Sequence, residues 1–488
     1  MQRAMAPDVL ARVDGALGDG LERAIAAHHR RRLRRHGRSE NLDPPRDGSL
    51  WASGHPPPRA GNALDVLIDG ATALPAMAEA IQAARSHVHI CSWNLEHDFA
   101  PERAGGPRPI RALLAELAER VDVRVLMWSG APLPVFAPRR GQVRAQREAL
   151  VRGTRIQCSL DSCVRPLHCH HEKLVVIDDE VAFVGGIDMT ALAGDRYDSS
   201  EHPVRPEQAI GWHDAAVRVR GPLVGDVARH IAMRWEAATG QALGVEDRPA
   251  AGDVEAQLVR TLPEGAFRAL PNGQFSALET YVRALRSAER LIHLENQFLW
   301  SPEVVSVLED KLRDPPSDAF RLVVVLPAKA NNGQDDTRGQ VGRLLNADGG
   351  AGRFLPATLY SRSGERSGPL YVHAKIGIVD DRWLTIGSAN LNEHSLFNDT
   401  EVNVVTCDAA LARATRLRLW AEHLECEEAD VAGDPATVLD ERWRAIASEQ
   451  RRRREAGAPL THHLVEMPGV SRRAARLLGP VQALVVDG

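Results

Sequence analysis

Two segments of this 488-residue chain repeat one phrase: His, any residue, Lys, four residues, Asp. The first is His171-Glu172-Lys173 with Asp178, and the second is His373-Ala374-Lys375 with Asp380. Each reaches a glycine fourteen residues after its His, Gly185 in one copy and Gly387 in the other. The histidines are 373 − 171 = 202 residues apart, and Ile90 and Ile292 keep that interval. A repeat that carries its flanks implies a duplicated half in which element lengths are kept. Brought together, two histidines and two lysines would suit cleavage or transfer of a phosphodiester.

The hydrophobic pattern from Gly61 onward alternates strand and helix. It predicts strands over 63–69, 87–93, 121–128, 155–160, 173–178 and 181–184, with helices over 72–84 and 110–120. The second half repeats the order, with helices over 278–287 and 302–313. Its strands are expected over 291–298, 320–326, 355–361, 374–379 and 384–386. Leu74, Met77, Ile81 and Ala84 share one helical face. The unbroken apolar run in 121–128 belongs to a strand covered on both sides. Each half therefore reads as α/β, a sheet flanked by helices.

Outside the halves, residues 1–38 read as a helix ending in the basic run His28 to His36, and 39–60 as a Pro-rich linker. The halves span 61–245 and 246–428, and 429–488 forms a helical cap. A net charge of −5 makes any basic surface local. The basic run reads first as a solvated helix end, and otherwise as a contact for anionic lipid or nucleic acid. Six cysteines do not make a disulfide scaffold. Cys158, Cys163 and Cys169 lie near His168 and His170, but not at zinc spacing, so no metal site is expected. The Pro-Gly-Val-Ser segment at 468–471 reads as part of the packed cap rather than a DNA-binding hairpin. No apolar run reaches membrane-spanning length and the start lacks a secretory pattern, so a cytoplasmic protein, peripheral at most, is expected.

A phosphodiester resists attack because its free oxygens are negative. A neutral imidazole can attack phosphorus and split one hard step into two. A second, protonated imidazole can donate its proton to the leaving oxygen, then take a proton from water or alcohol. Lys173 and Lys375 would hold the phosphate oxygens. No metal or other cofactor is required. Such histidines need carboxylates that fix their tautomers, and Asp214 and Glu401 are the candidates. Ser388 and Asn390, in the turn after the second motif, are candidate phosphate donors. The first half has Gly186 and Asp188 there, so the copies are unequal. Asp178 and Asp380 enter the candidate catalytic set with their motifs, although their position favours bracing the facing half.

The doubled phrase resembles the His-Lys-Asp motif of the phospholipase D superfamily. His170 to Asp188, Arg196-Tyr197-Asp198, Trp212-His213-Asp214 and Val219 to Pro222 are similar to the first motif of true phospholipases D and its continuation. Glu295-Asn296-Gln297-Phe298, Val372 to Ser395 and Leu419 to Leu424 are similar to the second motif, its approach and the closing helix. The resemblance covers about 61–428. It implies two duplicated halves, each a mixed β-sheet flanked by helices, packed about a pseudo-two-fold axis with the site in the cleft. It also implies a phosphohistidine intermediate, with His171 as nucleophile and His373 as acid and base.

Gly-Gly-Ile-Asp at 185–188 departs from the Gly-Ser-x-Asn of the related cardiolipin synthases. The expected activity is therefore phospholipase D or transphosphatidylase on glycerophospholipids, with water or an alcohol as acceptor. Its partner would be a phospholipid surface, without nucleic acid, and the chain is expected to be a monomer. The alternatives are a nuclease or other non-lipid phosphodiesterase of the superfamily, and a cardiolipin synthase-type transferase.

Overall fold

A computed structural model of the chain describes residues 6–132, 137–163, 168–206, 209–328 and 334–467. Helix α1 (Ala6–Arg35) comes first. The first half then runs β1 (Arg59–Ile68), α2 (Gly70–Gln82), β2 (His87–Ser92), α3 (Ile110–Leu117), β3 (Asp122–Trp128), α4 (Arg140–Val151) and β4 (Gln157–Asp161). It continues through β5 (Leu174–Ile177), β6 (Val181–Gly185), β7 (Trp212–His213), β8 (Ala215–Arg220) and α5 (Leu223–Thr239).

The second half runs β9 (Val254–Leu262), β10 (Gln274–Phe275), α6 (Ser276–Ser287), β11 (Leu291–Glu295), α7 (Pro302–Arg313), β12 (Arg321–Val325), α8 (Gln334–Asp348) and β13 (Phe354–Ser363). It continues through β14 (Arg366–Pro369), β15 (Tyr371–Val372), β16 (Ile376–Val379), β17 (Trp383–Gly387), β18 (Glu401–Thr406) and α9 (Ala409–Leu424). Helices α10 (Pro435–Val438) and α11 (Arg444–Glu455) and strand β19 (Leu464–Glu466) follow.

The duplication is explicit in the pairing. The first sheet has the order β4-β3-β2-β5-β6-β8-β1, and the second β13-β12-β11-β16-β17-β18-β9. In both, the first three strands are parallel and the rest alternate. β1 also pairs with β9, so the sheets meet edge to edge. Each sheet is covered on both faces, as the apolar runs predicted. Leu74, Ile81 and Leu114 bury one face of the first sheet, and Val227, Ile231 and Trp235 of α5 the other. Leu278, Leu285 and Leu308 cover one face of the second sheet, and Trp420 and Trp443 the other. Each fully buried aliphatic of this kind contributes about 1.5–3 kcal/mol. The cores cross the seam, since Leu258 and Val404 pack in the first half's cluster and Val66 and Ile68 in the second half's.

The 202-residue interval does not hold throughout. Ile90 pairs with Val175, but the matching residue of β16, Gly377, pairs with Leu294. The equivalent of Ile90 is thus Leu294, at 294 − 90 = 204. A slip of two is one strand period, which leaves the buried face unchanged and the pattern silent.

The segments outside the halves are docked rather than free. His29 meets Glu303 at 2.8 Å and stacks on Phe397 at 3.8 Å. Arg32 forks onto Glu264 and donates to Asn398 Oδ1 at 2.7 Å. The basic run is therefore only half a solvated face, with Arg30, Arg31, Arg34 and Arg35 exposed. The expected linker is pinned as well, because Asn41 and Ser53 bond Glu279 and Ala52 bonds Gln257. The expected helical cap includes β19, which extends the second sheet beside β13. Residues 468–471 lie outside the described residues. Among the described residues, no helix is long and apolar enough to cross a membrane.

Candidate active site

Each motif His stands just before the short strand at its sheet's centre, β5 or β16. Side chains two apart on extended backbone share a face, so the His-x-Lys spacing sends both groups the same way. Lys173 Nζ donates to His171 O at 2.7 Å, and Lys375 Nζ to His373 O at 2.5 Å. The two imidazoles meet across the seam with ring centroids 6.4 Å apart and planes at 68°. All four side chains are buried.

The carboxylate partners are exchanged between the halves. His171 Nδ1 lies 3.0 Å from Glu401 Oε1, and His373 Nδ1 lies 2.6 Å from Asp214 Oδ2. Backbone pairing across the seam causes the exchange. β7 runs parallel to β15, setting His213 beside Val372, and His170 bridges Thr400. Each dyad engages Nδ1, so Nε2 is the ring nitrogen that faces the chemistry. Burial pushes the Glu401 carboxyl well above its ordinary value despite Lys173 nearby, and pushes Asp214 up despite Lys375. A carboxylate so placed gains most when an imidazolium forms beside it. His373 is driven well below imidazole's usual value, by burial first and then by Lys375, Arg196 and Lys173.

The sequence departure at 185–188 has a steric cause. A Cβ at Gly186 would lie 2.2 Å from Asp214 Oδ1, so the position must be glycine for that carboxylate to sit there. Its counterpart Ser388 donates to Glu401 Oε2 at 2.5 Å. Ser388 was expected to serve phosphate. β18 runs beside the turn, so the hydroxyl faces the carboxylate instead. Asn390 Nδ2 points at Gln297 Oε1, 3.4 Å away.

The lysines differ too. Lys173 meets Asp188 at 3.1 Å and lies 5.6 Å over the Trp93 ring. Lys375 donates to Gln297 Oε1 at 3.0 Å. Gln297 and Ser395, which donates to Glu401 Oε1 at 2.5 Å, were missed as site residues. Both lie in segments already noted for their resemblance, and only the fold turns them inward. Arg196 is buried with its guanidinium 3.1 Å from the Trp212 ring centre, and Trp212 lies 4.3 Å from His373. Burial lowers Arg196 to about 10, against Asp188 and Asp214.

Asp178 and Asp380 stand apart from this centre. Seven residues of extended chain separate Asp178 from His171, about 20 Å. Asp178 accepts from Arg85 N, Ser86 N and His87 N at 2.7–2.8 Å. Asp380 accepts from Glu289 N, Arg290 N and Leu291 N, each at 2.8 Å. Each braces the start of a strand of its own half, β2 or β11, not the facing half as expected.

Behind Asp214, His213 bridges Asp69 at 2.9 Å and Glu295 at 2.8 Å. Burial alone would lower His213, yet Asp69 and Glu295 raise it well above its ordinary value. One ligand atom each from Asp69, His202, His213 and Glu422 lie within 4.8 Å of one another. Two imidazoles and two carboxylates could hold a divalent cation there in place of protons.

The chain is similar to known proteins. Residues 281–421, from α6 to α9, match the family model for the phospholipase D-like domain of cardiolipin synthase. Phospholipase D alpha 2 of Arabidopsis thaliana is 25% identical over 82% of this chain and 72% of its own length. The major cardiolipin synthase ClsA of Bacillus subtilis is 25% identical over 72% of this chain and 67% of its own.

The chain belongs to the phospholipase D superfamily.

Phospholipase D A of Dictyostelium discoideum is 24% identical over 75% of this chain, which spans only 36% of that relative. Among solved structures, a phosphatidylserine synthase of Haemophilus influenzae covers 78% of this chain and 93% of its own, with a TM-score of 0.52 and 13% identity. That likeness shows the phospholipase D fold. The superfamily's two halves are thus both present here, with one dyad assembled from each pair of facing segments.

Proposed function

We propose that this protein is a phosphodiesterase and phosphatidyltransferase acting on glycerophospholipids. The observation that carries the reading is the pair of crossed His-carboxylate dyads facing one another at 6.4 Å. In the first step His171 Nε2 attacks phosphorus, and the bond to the head-group oxygen breaks. His373, protonated, gives its proton to that oxygen. In the second step water or an alcohol attacks phosphorus, His373 takes its proton, and the P–N bond to His171 breaks. Lys173 and Lys375 neutralise the phosphate oxygens throughout. Burial and then the nearby cations keep free His373 neutral, and the anionic substrate, by opposing those cations, favours the proton His373 must donate.

The relatives named as phospholipases D and cardiolipin synthase support a lipid substrate. The match of 281–421 to the synthase-type model supports a second reading, in which the acceptor is the hydroxyl of another phospholipid. The test incubates the protein with phosphatidylcholine vesicles and ethanol, with phosphatidylglycerol vesicles, and with single-stranded DNA. Phosphatidylethanol is the expected product, and cardiolipin would mark the second reading. Cleavage of DNA with no lipid product would sink both.

A further inference from the structure

The segment entering the first motif brings another histidine to the seam. His168 lies three residues before His171, and its ring centre is 5.5 Å from that of His394. His394 opens the π turn His394–Asn398, a backbone irregularity often found at functional sites. His168 Nδ1 is 3.5 Å from Asp399 Oδ1, and the three residues each offer a ligand atom within 4.8 Å of the others. A separation of 3.5 Å is long for an N–H···O bond. It is close to the roughly 3.4 Å that two ligands keep around one tetrahedral zinc with bonds near 2.1 Å.

Asp399 adds an independent indication. It is fully buried, and Cys169 N holds its Oδ1 at 2.8 Å. Among the described residues no hydrogen-bond donor reaches its Oδ2. A buried carboxylate oxygen without a protein donor is satisfied by a cation or by a bound water, and the water that completes a metal site supplies both. The His168 side chain is 18% exposed, which leaves a way in for an ion.

We propose that His168, His394 and Asp399 form a site for a divalent transition-metal ion of the zinc class, completed by water. Two imidazoles and a carboxylate are a common zinc set with an open position. The ligands come from both halves, so the ion would fasten the seam. Asp399 is two residues before Glu401 and His168 three before His171, and the same segments already pair through Thr400 N to Cys169 O at 3.1 Å. The ion would thus stiffen the two strands of chain that carry one catalytic dyad.

The test uses the full chain, stripped with a chelator, loaded with Zn²⁺ or Co²⁺ and desalted. The Asp69 cluster can also take an ion, so the decisive quantity is the difference between wild type and His168→Ala. Wild type should retain one equivalent more than the variant and show Co²⁺ visible absorption of tetrahedral intensity that the variant lacks. Zinc should also raise the melting temperature of wild type more than that of His168→Ala. Equal melting of the two metal-free proteins would show that the substitution itself leaves the fold intact. If it does not, Asp399→Asn, which keeps the side-chain shape, replaces it in the same comparison. Equal metal content and identical Co²⁺ spectra would overturn the site, whatever the enzyme does to lipids.

Discussion

Replacing Asp178 by Ala separates the third residue of the motif from the chemistry. Asp178 Oδ1 takes Ser86 N and His87 N, and Oδ2 takes Arg85 N. Hydrogen bonds to a charged acceptor are worth about 1.5–3 kcal/mol each when buried. Arg85 and Ser86 are exposed, so water takes over part of the loss, leaving about 2–3 kcal/mol for the three. Asp178 also has a φ of 54°, a left-handed conformation that Ala adopts at a further cost of about 1 kcal/mol. Asp178→Ala should therefore lose about 3–4 kcal/mol in urea unfolding at pH 7. Asp178→Asn keeps one acceptor oxygen and tolerates the φ, and should lose only about 1 kcal/mol.

The difference should depend on pH in one direction. Burial alone would raise the Asp178 carboxyl, but the amides of His87, Arg85 and Ser86 hold it below its ordinary value. The unfolded chain titrates near 3.9. The stabilisation is then complete above that value and disappears as pH falls through the lower, folded one. The gap between wild type and Asp178→Ala should close in acid. At a temperature where both are folded, turnover should agree within about twofold. A variant as stable as wild type at pH 7 with turnover a hundredfold lower would refute the bracing role and put Asp178 in the reaction.

Three further outcomes follow from the dyads. Glu401→Gln cannot accept from His171, Ser388 and Ser395 together, and turnover on phosphatidylcholine should fall about 10²–10⁴-fold with the fold kept, as read by circular dichroism. Gly186→Ala drives a Cβ against Asp214 and off its bond to His373, and an ångström of displacement should lower turnover about 10²-fold. A variant turning over normally would mean that Asp214 does not orient His373. Protein denatured rapidly at mildly alkaline pH, where the acid-labile P–N bond survives, should carry its phosphatidyl adduct on His171 by peptide mass spectrometry, and an adduct confined to His373 would reverse the assigned roles.

The repeat made most of the fold legible. Helix α7 occupies 302–313 as its period predicts, and every strand expected in the two halves is present within a few residues. What escaped was β8, β9 and β18, which complete the two sheets, helices α4, α5 and α8, and what lies across the seam. Nothing in the order Asp214 after His171, or Glu401 after His373, says that each carboxylate serves the other half's histidine. That follows from the β7–β15 pairing, two residues long and too short to leave a periodic signal. The offset of 204 at Leu294 escaped because a two-residue slip preserves alternation. Arg32 and His29 read as surface charge because their partners, Glu264 and Glu303, lie more than 200 residues away. Ser388 was recognised as a site residue by its turn, but the direction of its hydroxyl depends on β18.

The exchange of carboxylates has a historical reading. A single half able to associate with its own copy would already have completed both dyads, one from each crossing. Joining two copies into one chain would have left that arrangement untouched while freeing the copies to diverge, as Gly186 beside Asp214 and Ser388 beside Glu401 have done. Divergence is nonetheless shackled. A damaged half removes the histidine of one dyad and the carboxylate of the other, so neither copy can decay or be borrowed for another purpose alone. Two chains, each crippled in a different half, should be unable to rescue one another unless their halves swap.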